Sequence, residues 1–363
     1  MMDQRTSAAD IVADEVRAHA IDLMRFDAQV RREILGVLIE LERDLVRQLI
    51  QSELEAPLSS ATTVRLQEML EHVRASISSA YNEADGLLRN ELAPLAESET
   101  RFTAAALRKG VTAAFDTVSL SAVQVQAIAS DVLIDGAPTR EWWSRQAGDV
   151  LNRFKDQVRQ GMAAGETNSD IVRRIRGGTK GGEPVRGVME IARRNAETLV
   201  RSSVQAVANR AQIDTYRANG DLVKALVTLV TLDGRTSSTC IARSGLRYTL
   251  EGKPIGHKVP FLGGPPYHPN CRTVMVPQLK SFREIGINVP DVPASTRASM
   301  DGQVPADISF ADWLKTKPAA FQDDLLGAGK ARLWREGRID LADLIDQSGR
   351  PLTLKQLEER HPN

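Results

Sequence analysis

The stretch Leu222-Val-Lys-Ala-Leu-Val-Thr-Leu-Val-Thr-Leu-Asp-Gly-Arg-Thr-Ser-Ser-Thr-Cys240, followed by Pro265-Pro-Tyr-His-Pro-Asn-Cys-Arg272, decides how this chain is read. Upstream of it, apolar residues recur every three to four positions, the period of a helix face. From Leu222 to Leu232 that period gives way to a run of Val, Leu and Thr, which reads as a strand. Pro254, Pro260, Pro265, Pro266, Pro269 and Pro277 exclude long helices beyond it. Short strands fit Arg247–Leu250 and Thr273–Val276. The fold class these signals predict is mainly α, with long helices and a small α+β module whose short strands fall in residues 222–277.

Working outward, the spacing predicts a long helix over Val185–Asn219 that closes at Gly220. Gly177–Gly182 lacks the G-x-x-x-x-G-K-[ST] spacing of a phosphate-binding loop and reads as a flexible linker. Ser169 caps a short helix holding Ile171 to Ile175, and Thr139 caps another running from Arg140 to Ala164. A third helical region covers Ser98–Asp135. Near the N-terminus, with Ser7 as cap, Ile34, Leu38, Leu41, Leu45 and Leu49 form one apolar stripe. That stripe must pack on another helix, and the segment Val64–Leu88, joined through a break at Glu55–Thr62, makes an αα-hairpin the economical partner. Past a proline-punctuated linker comes a separate helical tail, with Ser309 as an N-cap and Thr353 with Gln356 as a capping box. The resulting domain expectation is a helical region at 1–138, a central module at 139–280, a linker at 281–305 and a helical appendage at 306–363.

Formal net charge is zero, yet the charge is unevenly spread. Residues 1–100 carry 19 acidic and 10 basic side chains, a net of −9, whereas residues 151–220 carry 13 basic and 7 acidic, a net of +6. Two faces with different partners follow as an expectation. Arg173, Arg174, Arg176, Arg193 and Arg194 are the candidate contacts for DNA or an acidic partner, although few aromatics interleave them. No apolar run approaches the roughly 18 residues that span a bilayer, and no basic-then-apolar leader opens the chain, so neither membrane insertion nor secretion is expected. With two cysteines in 363 residues, a disulfide scaffold is excluded and a reducing compartment is the default.

Asp233, Arg235, Thr236, Cys240, His268, Cys271 and Arg272 form the candidate structural knot. Cys240, His268 and Cys271 supply three soft or borderline ligands for zinc, one short of a closed structural set, with Asp233 or His257 as candidates for the fourth. The same residues also fit a buried, hydrogen-bonded cluster, a pair of neighbouring thiols, or a disulfide formed under oxidising conditions. A Cys–His nucleophile oriented by Asp233 is the remaining alternative, without a Gly-rich oxyanion loop beside it. Asp233-Gly-Arg-Thr236 after a strand has a simpler use, since the Asp carboxylate accepts backbone N–H groups in such a turn.

At these residues the chain resembles the phage head-morphogenesis family, the minor head proteins similar to the F protein of phage Mu. The elements that carry the resemblance are Leu199-Val-Arg-Ser-Ser203, Ala208-Asn-Arg-Ala211 and Tyr216-Arg-Ala-Asn-Gly220. Asp233-Gly-Arg-Thr236, Cys240, Gly245 and His268-Pro-Asn-Cys-Arg272 follow in the family's order. They span about Leu151–Pro277. The family often carries a further Cys before the one matching Cys240 and another after the arginine; here those places read Ser237-Ser-Thr239 and Thr273-Val274. The resemblance implies a non-enzymatic minor head protein of a tailed phage or prophage, assembled in the host bacterial cytoplasm and carried in the virion. Its implied partners are portal or major capsid protein, with packaged DNA and further copies of the chain as additional candidates. Alternatives are a protein ejected with the DNA, or a Cys- or metal-dependent enzyme centred on Cys240, His268 and Cys271.

Overall fold

The computed structural model describes residues 8–55, 63–111, 116–180, 182–281, 283–284, 296–300, 302–305 and 308–362. The protein is mainly α-helical with short strands, as the periodicities predict. Two compact units are present, one of Met1–Asp22, Leu95–Ile128 and Gln205–Asn363, the other of Leu23–Pro94 and Ala129–Val204. Among the described residues no helix is long and apolar enough to cross a membrane. The Ser7 cap and the break after Glu55 lie outside the described residues.

Long helices α1 (Ala8–Glu55) and α2 (Thr63–Gly110) contribute to both units. In the second unit the predicted stripe, Ile34, Leu38, Leu41, Leu45 and Leu49, is buried. Ser76 on α2 donates to Asp44 Oδ2 (2.7 Å) and accepts from Gln48 (2.9 Å), so α2 covers α1 there. The same unit holds the hairpin β1 (Leu133–Ile134) and β2 (Ala137–Pro138), α4 (Thr139–Ala163) and α5 (Asn168–Arg176). The hairpin β3 (Gly178–Lys180) and β4 (Glu183–Val185) and the start of α6 (Val188–Ala218) complete it.

Several boundaries differ from the expectation. Thr139 is the first helical residue of α4 and makes no cap. Pro138 stays extended to pair with Leu133, and the Thr139 side chain is buried. For α5 the cap is Thr167, not Ser169: Thr167 is extended and its hydroxyl accepts from Asp170 N at 3.2 Å. Gly177, Gly178 and Gly182, the described glycines of 177–182, do not form a linker. They open the β3–β4 hairpin, and a Cβ on Gly187 would sit 2.0 Å from Gly177 N, so the chain returns close on itself.

The predicted helical region Ser98–Asp135 is also divided, between the end of α2 and a separate α3 (Ala122–Asp131). Between them Val118 lends its N–H and C=O to the Asn219 side-chain amide, each at 2.8 Å. That satisfies backbone groups a helix would otherwise have paired.

In the first unit, β5 (Val223–Leu229), β6 (Arg247–Tyr248), β7 (Pro254–Ile255) and β8 (Val274–Leu279) form an antiparallel sheet in the order β7-β6-β5-β8. Leu226, Tyr248 and Met275 from the sheet pack with Ile213 and Tyr216 of α6, Val16 of α1 and Leu107 of α2. Beyond β5 the four-residue helix α7 (Ser238–Ile241) carries Cys240. The stretch read as a linker contains a hairpin, β9 (Thr296–Ser299) with β10 (Gly302–Pro305). Helices α8 (Phe310–Lys315), α9 (Ala319–Leu326), α10 (Ala328–Arg335) and α11 (Leu354–Arg360) follow. Ser309 caps α8 and Thr353 with Gln356 forms the capping box of α11, both as predicted.

These terminal helices do not stand apart. Phe310, Trp313, Leu314, Leu333, Leu344 and Leu357 share one buried cluster with Val230, Leu232, Ile241 and both cysteines. Each large apolar side chain buried there contributes about 1.5–3 kcal/mol relative to exposure, so the knot and the terminal segment stabilise each other.

Candidate functional site

The site begins where β5 runs out. Asp233 Oδ1 accepts from Arg235 N (2.9 Å), and Thr236 Oγ1 donates to Thr231 O (2.6 Å), closing a tight turn. Ser237 is then the N-cap of α7, its hydroxyl accepting from Cys240 N at 3.3 Å. A second turn faces it: Cys271 N donates to His268 O (3.1 Å), with Asn270 at φ +60°, a conformation Asn tolerates. Arg272 locks the two turns together, its Nη1 and Nη2 donating to Asp233 Oδ2 and Oδ1 at 2.6 and 2.8 Å. This bidentate pair holds the Asp233 carboxyl below the usual carboxylate range.

Between the turns lie the three ligand-type residues. Cys240 Sγ is 3.6 Å from Cys271 Sγ and 3.1 Å from His268 Nε2, which also lies 2.8 Å from Ser237 Oγ. His268 Nδ1 is 2.8 Å from Pro269 O, a contact that requires Nδ1–H as donor and, in the neutral ring, leaves the lone pair on Nε2. Both thiols are buried and His268 is half-buried. The thiols titrate as a coupled pair. The hydrogen bond from Cys240 pulls Cys271 below the ordinary thiol value, and sharing that proton, together with burial, pushes Cys240 up. Hydrogen bonding to the Cys271 sulfur raises His268 in turn.

Six of the seven predicted knot residues therefore converge; the seventh, Arg235, is exposed and only lines the rim. Neither expected fourth ligand is available. Asp233 is taken by Arg272, and His257 Nε2 bonds Arg247 O at 2.8 Å while its ring meets Tyr248 edge-on.

The candidate arginines lie in the other unit and are largely engaged there. Arg173 pairs with Asp170 at 2.7 Å, and Arg174 grips Glu166 through Nε (2.6 Å) and Nη2 (2.8 Å). Arg176 and Arg193 both meet Glu42. Arg194 is exposed. Two of these arginines are thus paired within the basic middle itself, and two share Glu42 of the acidic N-terminal region.

Two features escaped the sequence. Arg243 is completely buried, its Nη1 donating to Thr239 O (3.2 Å) and its guanidinium lying 4.5 Å over the Tyr267 ring. Gly349 presses against it from the C-terminal segment; a Cβ there would sit 2.2 Å from Arg243 Nη2. In the same unit Glu99, also buried, accepts from Gln212 Nε2 (2.9 Å) and bonds His19 Nε2 at 2.6 Å, while the His19 ring stacks on Phe102. A single polar residue, whether in a turn like Arg243 or on a helix like Glu99, carries no sequence signal of its partner.

Comparison with known proteins now bears on this geometry. Residues 152–276 match the family model described as Phage Mu protein F like protein. The F-like segment runs from within α4 to the middle of β8, and so takes in α6, both turns of the knot and all three ligand-type residues. It stops before the C-terminal helices that complete the core around the cysteines. No curated protein matches the chain, and no solved structure does.

Proposed function

We propose that the chain is a non-enzymatic minor structural component of a tailed-phage or prophage head, acting with portal or capsid subunits during assembly. The observation that carries this reading is the place of the knot. The part of the F-like segment richest in reactive side chains is buried in a core completed by the C-terminal helices. Thiols set into a shared core hold turns together, whereas a nucleophile needs an approach for its substrate. The DNA reading loses support, because four of its five arginines already have acidic partners in their own unit. Exposed ion pairs are each worth about 0–1 kcal/mol, so specificity in docking rests on apolar contact. Ile39 and Ile50 of α1, and Leu133 in the β1–β2 hairpin, are large apolar side chains exposed in the second unit.

Co-expression of the tagged chain with portal and capsid proteins from the genome that encodes it tests the proposal. Co-purification with portal or with immature heads is the expected result. A chain that stays monomeric in their presence and enters no particle overturns it.

A further inference from the structure

We infer that Cys240, His268 and Cys271 hold one zinc ion, with a single water as the fourth ligand, cross-linking the α7 turn to the His268–Cys271 turn. This goes beyond the head-protein reading and does not depend on it.

The donor set comes first. Thiolate and imidazole are the ligands zinc takes in proteins, and the three donor atoms here all lie within 4.8 Å of one another. Geometry narrows the assignment. Tetrahedral zinc with Zn–S near 2.3 Å and Zn–N near 2.0–2.1 Å implies edges of about 3.8 Å between sulfurs and about 3.5 Å between sulfur and nitrogen. The structure has 3.6 and 3.1 Å, so a few tenths of an ångström of expansion would admit the ion.

The surroundings favour it too. Metal-bound histidines usually donate their other ring N–H to a carbonyl or carboxylate, which aims the ligating lone pair. His268 does this through Nδ1 and Pro269 O, with Nε2 turned to the sulfur. Beside the triad is a cavity of about 20 Å³ lined by Ser237, Cys240, His268, Asn270, Arg272 and Thr273, enough for about one water. Among the described residues no fourth His, Cys, Asp or Glu joins the group. Ser237 Oγ is placed to hydrogen-bond a water there, as it now does the ring.

An open position commonly marks catalytic zinc. Here both sulfurs belong to the core that includes Phe310, Trp313 and Leu344, as a structural ion would. The ion therefore joins two turns that the Asp233–Arg272 pair also ties together.

The test is elemental analysis of the full chain purified without chelator, with cobalt substitution as a second readout. About one zinc per chain is expected, lost from Cys240→Ser and from Cys271→Ser but kept in Ser237→Ala. Cobalt should give thiolate charge-transfer and tetrahedral ligand-field bands that added zinc abolishes; this holds on the unmodified chain even if the cysteine variants fold poorly. Zinc absent from the native chain together with a featureless cobalt spectrum overturns the inference. So does zinc retained by a folded variant carrying both Cys240→Ser and Cys271→Ser, or a chain isolated without reductant that carries no free thiol.

Discussion

Replacing Asp233 with Asn removes the charge and one acceptor from the tie that closes the knot. Asp233 accepts both terminal nitrogens of Arg272 and the backbone N–H of Arg235, with its side chain 19% exposed and that of Arg272 32%. Asn keeps one acceptor for Arg235 N but loses the bidentate, charge-assisted pair. Hydrogen bonds to charged groups contribute about 1.5–3 kcal/mol net, and partial exposure lets water take up some of the loss, so about 1.5–2.5 kcal/mol is the expected cost.

The two cysteines are the chain's only thiols, and both are buried beside this pair. Their labelling rate under native conditions, with chelator present throughout, therefore reports opening of the knot. At about 1.4 kcal/mol per tenfold, Asp233→Asn should label roughly 10- to 60-fold faster. The pH dependence has a definite sign. Asp233 sits below its ordinary value because of Arg272, so its stabilisation is present above the unfolded carboxylate value, near 4, and is lost as pH falls through the folded one. The gap between variant and parent should shrink in acid. As control, Glu97→Gln breaks an exposed pair with Arg101 and should cost about 0–1 kcal/mol. Equal labelling rates for Asp233→Asn and the parent at neutral pH would refute the reasoning.

Gly349→Ala combines a φ of +82° with a Cβ 2.2 Å from the buried Arg243 and 2.9 Å from Leu262; a loss of about 2–4 kcal/mol is expected in a urea melt followed by the tryptophans. Gly187→Ala would set its methyl 2.0 Å from Gly177 N and 2.2 Å from Arg176 C, both backbone atoms, so about 3 kcal/mol or more should be lost, seen as faster hydrogen exchange in α5 and the β3–β4 hairpin. Glu42→Gln leaves Arg176 and Arg193 without their shared carboxylate and should cost about 1–2 kcal/mol, less at high salt. Thr353→Ala removes half of a capping box and should lower helicity at the C-terminus for about 1 kcal/mol, by circular dichroism and urea titration.

Local signals were legible where one residue type has one use. The stripe from Ile34 to Leu49 gave α1 its buried face, the Val/Leu/Thr run gave β5, and Ser309 and Thr353 gave two helix starts. Caps failed where candidates stood close together: Thr167 and Ser169 are both good N-caps, and only backbone conformation at Thr167 chooses between them. Glycine-rich 177–182 was misread because composition is the same for a linker and a tight hairpin; the approach of Gly187 to Gly177 is a tertiary fact. At the knot, residue types and order pointed to Cys240, His268 and Cys271. The hydrogen bond that sets the His268 tautomer is local, made to the carbonyl of the next residue, but the commitment of Asp233 to Arg272 depends on how two turns separated by more than 30 residues meet. The shared core with Phe310 and Trp313 was hidden for the same reason: an amphipathic helix announces that it will be buried, not against what.

Incorporation of the chain into a phage head, as proposed, can be read directly in the particle. Quantitative mass spectrometry of heads purified from cells expressing the complete head gene set tests it most directly. The chain should be present in those heads in far fewer copies than the major capsid protein and remain after washing in high salt. Heads that assemble normally and contain none of it would contradict the account.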